Sequence, residues 1–300
     1  MPLYDVLAET LPGPAPRPGD RVMPLRDILV HMDNTRQCRA RLETAVGLAA
    51  AHEAHLVGLY IKFHYPVPRD MLAFFPEETL NEVLKSHAEV ANQDAGALEK
   101  QFREATERAG VSAEWQCADG DPVQSIKTVG RLCDLLVIGQ GRAGSNSFSE
   151  ESDLIDNLVL IAGRPVLLVP SAGEFPTVGE NVLVAWDEGR RATRAVNDAL
   201  PFLKNAKRVK VLAISPKDHW LIETDGICKH LGRHGIDAEG EKLEAKGAGF
   251  GQTIRAKAAD MDADLIVMGA YGRTRWRELV LGGVTRHMLS HMTIPVLMSH

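Results

Sequence analysis

Asp27-Ile28-Leu29-Val30-His31-Met32-Asp33 returns 154 residues later as Asn181-Val182-Leu183-Val184-Ala185-Trp186-Asp187. Both are short apolar runs that end in aspartate and lead into an alanine-rich stretch. Asp134-Leu135-Leu136-Val137-Ile138-Gly139 pairs with Asp264-Leu265-Ile266-Val267-Met268-Gly269, and Pro165-Val166-Leu167-Leu168-Val169 with Pro295-Val296-Leu297-Met298, both at an offset of 130. A repeat fixes an architecture before any motif is read. The chain is a tandem duplication.

Each copy reads strand, helix, strand, helix, strand, helix, strand, helix, strand. The strands are continuous Val/Ile/Leu runs, as in a parallel sheet buried on both faces. In the second copy they fall near 181–186, 208–214, 237–243, 264–268 and 295–298. The expected fold is α/β: two tandem doubly wound domains, each a five-stranded, mainly parallel sheet with helices on both faces. The division is a Pro-rich tail over 1–23, a first domain over 24–171, a linker over 172–178 and a second domain over 179–300. The tail carries no signal-peptide pattern, and Met23 stands as an alternative start.

The drop in offset from 154 to 130 puts 24 extra residues in the first copy, placed near 63–90. Leu72, Phe74, Phe75, Leu80, Val83 and Leu84 are too apolar for a solvated loop. From Glu77 the segment reads as a helix start. It covers apolar surface beside the first site, or it makes a contact between chains, or it extends a helix packed on its own domain.

At 45% apolar and 25% charged residues, the 300-residue chain has the composition of a globular protein. No run is apolar enough to span a membrane, and the formal charge of −6 argues against a dedicated nucleic-acid binder. That charge is uneven. Residues 181–300 hold 18 basic and 14 acidic side chains, residues 1–180 hold 16 and 26, so the halves need not share a ligand. Cys38, Cys117, Cys133 and Cys228 show no metal spacing and read as reduced, mostly buried thiols in a cytoplasmic protein.

In such sheets ligands sit beyond the carboxyl ends of the strands, where strand order reverses. For the second copy that means Asp187 and Gly269. After the fourth strand comes Gly269-Ala270-Tyr271-Gly272, then nine residues, then Gly282-Gly283-Val284-Thr285-Arg286. Glycines there admit a bulky anion close to the backbone. The N–H groups and dipole at the start of the last helix favour a phosphate. Thr285 adds a hydroxyl, and Arg273, Arg275, Arg277 and Arg286 add positive potential. The same glycines also suit tight strand–helix turns, so spacing alone leaves both uses open.

The Gly-x2-Gly-x9-Gly pattern, followed by a helix and a Pro-Val strand, resembles the universal stress protein family over nearly all of residues 24–300. The resemblance implies an adenine nucleotide alpha hydrolase-like fold in tandem form, and last strands that meet across a pseudo-twofold axis within one chain. It implies a regulatory protein of the stress response that binds ATP or a related adenine nucleotide, with or without Mg2+. Asp187, Ala213, Gly269, Gly272, Gly282, Gly283, Val284 and Thr285 are then the site residues. Gly283 departs from the family pattern, which has Ser or Thr there. That keeps the amide donor and loses a hydroxyl.

The constant offset allows the first copy to be compared residue by residue. Gly272 becomes Arg142, Gly282 becomes Ser152, Gly283 becomes Asp153 and Thr285 becomes Ile155. Asp153, with Glu150, Glu151 and Asp156, repels phosphate, so the nucleotide site is expected in the second copy only. Asp33 is left as a relic or a structural cap. Gly139-Gln140-Gly141-Arg142-Ala143-Gly144 spells a G-x-G-x-x-G after a strand, but neither a helix opening at once nor an acid at the end of the next strand follows. His230/His234 and His287/His291 share helical spacing but lack a third metal ligand, and read as surface or capping residues. His31 and Trp186 read as core. No elbow serine, zincin or P-loop motif occurs, and no catalytic residue or metal site is expected. The alternative function is an interaction or chaperone-like module without nucleotide. Protein partners are not indicated beyond the intrachain pseudo-dimer, with a homodimer as an option.

Overall fold

Both copies fold in the same order, and their sheets merge. The computed structural model describes residues 24–62, 77–141, 150–215, 222–244, 249–271 and 283–300. The first half runs β1 (Asp27–Met32), α1 (Cys38–His52), β2 (His55–Lys62), α2 (Glu77–Ala109), β3 (Ala113–Asp119), α3 (Pro122–Gly130), β4 (Leu135–Gly139), α4 (Glu150–Ile161) and β5 (Val166–Val169). The second runs β6 (Asn181–Trp186), α5 (Arg190–Asp198), α6 (Leu200–Leu203), β7 (Arg208–Ser215), α7 (Asp225–Arg233), β8 (Ala238–Glu244), α8 (Phe250–Asp260), β9 (Leu265–Gly269), α9 (Gly283–His291) and β10 (Val296–Ser299).

The order across the sheet is β3-β2-β1-β4-β5-β10-β9-β6-β7-β8. Within each half all neighbours are parallel. The last strands pair antiparallel, with Val296 opposite Leu168 and Met298 opposite Val166. The two five-stranded sheets join through their last strands, as the family resemblance implies, into one ten-stranded sheet. Left alone, β5 and β10 would each expose a row of unpaired backbone groups, and their pairing removes both edges. The outer edges are protected differently: β8 carries Glu239, Glu241 and Lys242, and Glu239 and Glu241 both pair with Lys210 of β7.

Burial follows the pleat. Ile28 and Val30 of β1, with Val182 and Val184 of β6, face the layer of α1, α2, α5, α6 and α7. Leu29 and Leu183 face the layer of α3, α4, α8 and α9. Both layers run unbroken through both halves. The repeated aspartates that precede β4 and β9 brace the start of the neighbouring strand. Asp134 accepts the amides of Arg26 and Asp27; Asp264 accepts those of Gly179, Glu180 and Asn181 at 2.9–3.1 Å. Asp121 caps α3 by accepting the Gln124 amide at 2.8 Å, with Pro122 in the first turn. Among the described residues no helix is long and apolar enough to cross a membrane.

The insertion near 63–90 falls only partly within the described residues. Residues 63–76, with Leu72, Phe74 and Phe75, lie outside them, while 77–90 form the first turns of the 33-residue α2. All four cysteines are free thiols. Cys38 and Cys133 are buried as expected, but Cys117 is exposed and Cys228 half-buried, because both stand on or beside the outermost strands.

Candidate functional site

Strand order reverses twice, between β1 and β4 and between β6 and β9. The two crevices differ in what fills them.

In the first half Arg41, on α1, fills the crevice. Its side chain is 3% exposed and its Nη2 lies 2.7 Å from Oδ2 of Asp33. Asp33 also accepts the Thr35 amide at 3.0 Å and the Thr35 hydroxyl. A Cβ placed on Gly139 would fall 2.1 Å from Nη1 of Arg41. Glycine at the end of β4 therefore makes room for an internal guanidinium. Burial works to raise the Asp33 pKa, but Arg41, His31 and Thr35 outweigh it and hold it below its usual 3.8. Burial, then Arg41, drive His31 down from 6.5 to about 4, although Asp33 pulls the other way. His31 is accordingly a neutral, nearly buried imidazole. Asp33 is both a local cap and one half of an ion pair. Arg41 was missed in the sequence, though a signal existed: it interrupts the buried run Cys38, Leu42, Ala45, Val46, Ala49, and its counterpart 154 residues on is Ala195.

In the second crevice the position equivalent to Arg41 is Ala195, and the backbone of Arg191 and Ala192 lies against Gly269. Asp187 stands exposed at the end of β6, with Oδ1 accepting the Gly189 amide at 2.8 Å. Glu188 beside it has φ 57° and accepts the Glu223 amide at 3.0 Å. Ala213 is buried on β7 opposite Trp186. Gly269 ends β9 against the first turn of α5, where a Cβ would lie 2.7 Å from the Ala192 nitrogen. This glycine admits a helix backbone, whereas Gly139 admits a side chain. Gly283 opens α9 and is exposed, and a Cβ there would meet nothing within 4 Å among the described residues. Val284 is half-buried and Arg286 exposed. Gly272, Gly282, Arg273, Arg275 and Arg277 lie outside the described residues, as does Arg142 in the first half.

Thr285 was read as a donor for a ligand. It is 3% exposed, and its Oγ1 accepts the Tyr271 amide at 3.0 Å. The hydroxyl thus ties α9 to the turn after β9. Ile155 fills the matching buried place in the first half. Tyr271 itself holds φ 56° and donates its hydroxyl to Oδ1 of Asp156 on α4, across the junction of the halves. Asp156 was read as repelling phosphate in the first copy; its carboxylate instead binds the other half. On the opposite side of the junction, Gln140 Nε2 donates to the Leu289 carbonyl at 2.7 Å.

The G-x-G-x-x-G stretch begins at the Arg41-filled crevice, and its last three residues lie outside the described ones; α4 starts at Glu150. His287 and His291 stack at 4.4 Å, and Nδ1 of His291 meets the His287 carbonyl at the end of α9. His230 and His234 sit edge to face at 4.8 Å at the end of α7. Among the described residues no three His, Cys, Asp or Glu side chains gather as a metal site would require. His31 and Trp186, read as core, are both partly buried.

Comparison with known proteins agrees with this architecture. No curated protein matches the chain in sequence. Among solved structures, a universal stress protein from Archaeoglobus fulgidus DSM 4304 is similar over 91% of this chain and 97% of its own, at 17% identity and a TM-score of 0.69. A functionally unknown protein from Pseudomonas aeruginosa PAO1 is similar over 92% of each chain, at 20% identity and 0.56. A putative universal stress protein from Pseudomonas aeruginosa UCBPP-PA14 is similar over 92% of this chain and 93% of its own, at 18% and 0.52. At these identities the likeness is one of fold. The universal stress protein family matches in sequence twice, over residues 24–170 and 179–300. With both halves matched and joined through β5 and β10, the chain belongs to the universal stress protein family and carries its domain twice in tandem.

Proposed function

We propose that the protein is an adenine-nucleotide-binding regulator of the stress response, and that only its second half holds the nucleotide. The contrast between the crevices carries this reading. In the first, Arg41 lies 2.7 Å from Asp33 as an ion pair in the place a ligand would take. In the second, the equivalent of Arg41 is Ala195, the aspartate is exposed, and α9 opens on an exposed glycine that no described residue crowds.

Asp187 suits a ribose or base, since Oδ1 is steadied by the Gly189 amide and the carboxylate faces solvent. The first amides of α9 suit phosphate oxygens, supported by the helix dipole and by Arg286. Gly283 offers an amide without a hydroxyl. The role is one of binding rather than catalysis.

Mass spectrometry of nucleotide carried through purification, with calorimetry against ATP, tests the reading. Gly283→Asp reproduces Asp153 of the first half at a position with room for a side chain. A carboxylate in the first turn also suits the helix itself, so folding is retained. ATP affinity should fall at least tenfold. Tight ATP binding that Gly283→Asp leaves unchanged would refute the site, and a chain that takes up no adenine nucleotide would refute the function and leave the interaction-module reading standing.

A further inference from the structure

The 33 residues of α2 span about 50 Å at 1.5 Å per residue, roughly twice the length of the eight-residue β2 it follows. Its second half is docked: Ala95, Leu98, Phe102 and Ala105 are buried against the sheet. The docking starts at Asp94, which accepts the Asn34 amide group at 2.9 Å. Before that point the helix is exposed, with Val83 at 48%, Leu84 at 41% and Val90 at 54%.

At about 100° per residue, Val83, Leu84, His87 and Ala91 continue the face that Leu98, Phe102 and Ala105 bury further along. Val90 lies at its margin. The charged residues of this stretch, Glu82, Lys85 and Glu89, fall on the opposite side. The flanks of the apolar stripe are Asn81, Ser86, Ala88, Asn92 and Gln93, all uncharged. The free half therefore has the pattern of a helix packed on something, although among the described residues nothing packs there.

We propose that this face pairs with its own copy in a second chain, the two helices running antiparallel about a twofold axis at His87. Two observations select that occupant. First, the stripe is self-complementary: reversal about His87 sets Leu84 against Val90 and Val83 against Ala91, with the two imidazoles meeting at the axis. A twofold contact uses one patch twice and needs such a palindrome. Second, the flanks between 81 and 93 carry no Asp, Glu, Lys or Arg, so a charged partner gains nothing there. At the sheet edges, β5 and β10 are spent on each other, β8 carries Glu239, Glu241 and Lys242, and β3 carries Glu114 and Asp119. Val83 to Ala91 gives about two and a half helical turns per chain, a contact at or below the small end of specific interfaces, so the dimer forms and dissociates with concentration.

Light scattering and sedimentation equilibrium on the full chain test this. The mass should rise from 32.8 kDa toward twice that as concentration increases. Leu84→Asp with Val90→Asp should raise the dissociation constant at least tenfold without changing the circular dichroism, because both side chains are exposed in the monomer. Glu82→Gln with Glu89→Gln, on the far side, should leave it unchanged. In a Cys117→Ser background, His87→Cys should form a disulfide-linked dimer on mild oxidation and Lys85→Cys should not. A monomer at every concentration, a dimer indifferent to Leu84→Asp with Val90→Asp, or cross-linking through position 85 rather than 87 would each overturn the proposal.

Discussion

Gly139→Ala is the sharpest probe of the filled crevice, because its cost has one identifiable source. Gly139 is not among the positive-φ residues, so alanine brings no backbone strain. Its Cβ would lie 2.1 Å from Nη1 of Arg41 and 3.3 Å from Cζ. The guanidinium is free to yield only by leaving Asp33, 2.7 Å away, and its side chain is 3% exposed. Overpacking of this kind costs about 1–3 kcal/mol, and the pinned guanidinium puts this case near 2–3. Arg41→Ala loses the ion pair and leaves Asp33 behind. Since Asp33 is 26% exposed and can be hydrated, that cost falls below the 3–5 kcal/mol of a fully buried pair, at about 2. In the double variant the new methyl meets no guanidinium, so Gly139→Ala should add less than about 0.5 kcal/mol. Urea unfolding of the four proteins measures the cycle, with an expected coupling of about 2 kcal/mol. As a contrast, Gly269→Ala collides with the α5 backbone at 2.7 Å, and truncating a side chain gives no rescue there. Equal costs for Gly139→Ala with and without Arg41 would refute the claim that Arg41 occupies this crevice.

Two further predictions concern pH and strand bracing. His31 falls from 6.5 to about 4 on folding, so above pH 6.5 it is neutral in both states, and between 6.5 and 4 only the unfolded chain takes up its proton. Stability should therefore drop by about 1.4 kcal/mol per pH unit across that window, about 3 kcal/mol in all, and His31→Leu should flatten the curve by that amount; parallel curves would refute it. The Asp33 carboxylate, held below 3.8, contributes throughout that window and loses its contribution only at lower pH. Asp264→Ala strips acceptors from the Gly179, Glu180 and Asn181 amides and should cost about 3 kcal/mol in denaturant unfolding, whereas a loss under about 1 would show that water replaces the carboxylate.

The repeat made the fold legible because parallel strands buried on both faces must be written as apolar runs, and two such sets in one order leave few topologies. Strand positions in the second half were readable to within a residue or so: 208–214 against Arg208–Ser215, and 237–243 against Ala238–Glu244. What escaped were the contacts that ignore the repeat. Arg41 is a helix-face residue whose partner Asp33 lies one loop away, and a buried guanidinium leaves only a charge in an apolar run as its trace. Thr285 looked like a ligand donor because a hydroxyl near a helix start suits one. Only the fold shows that its oxygen also accepts the Tyr271 amide. Asp156 meets Tyr271 at a separation of 115 residues, through the pairing of β5 with β10, which no local pattern encodes.

A duplicated binding fold whose halves share one sheet has a physical reason to diverge. A crevice at a switch point leaves the ends of two diverging strands unsupported, and either a ligand or a side chain can bridge them. In the first half Arg41 bridges permanently, reaching from α1 across the end of β4 at Gly139 to Asp33 at the end of β1. In the second half the turn after β9 is held from outside: Thr285 takes the Tyr271 amide and Asp156, from the first half, takes its hydroxyl. The first half thus supplies a fixed anchor to Tyr271, just after β9. Tyr271 holds a left-handed conformation that a non-glycine residue adopts at a cost of order 1 kcal/mol. The two hydrogen bonds offset that cost only while both halves stay in register. Filling one crevice internally makes one half a support, while in the other, among the described residues, Asp187 and Gly283 stand exposed.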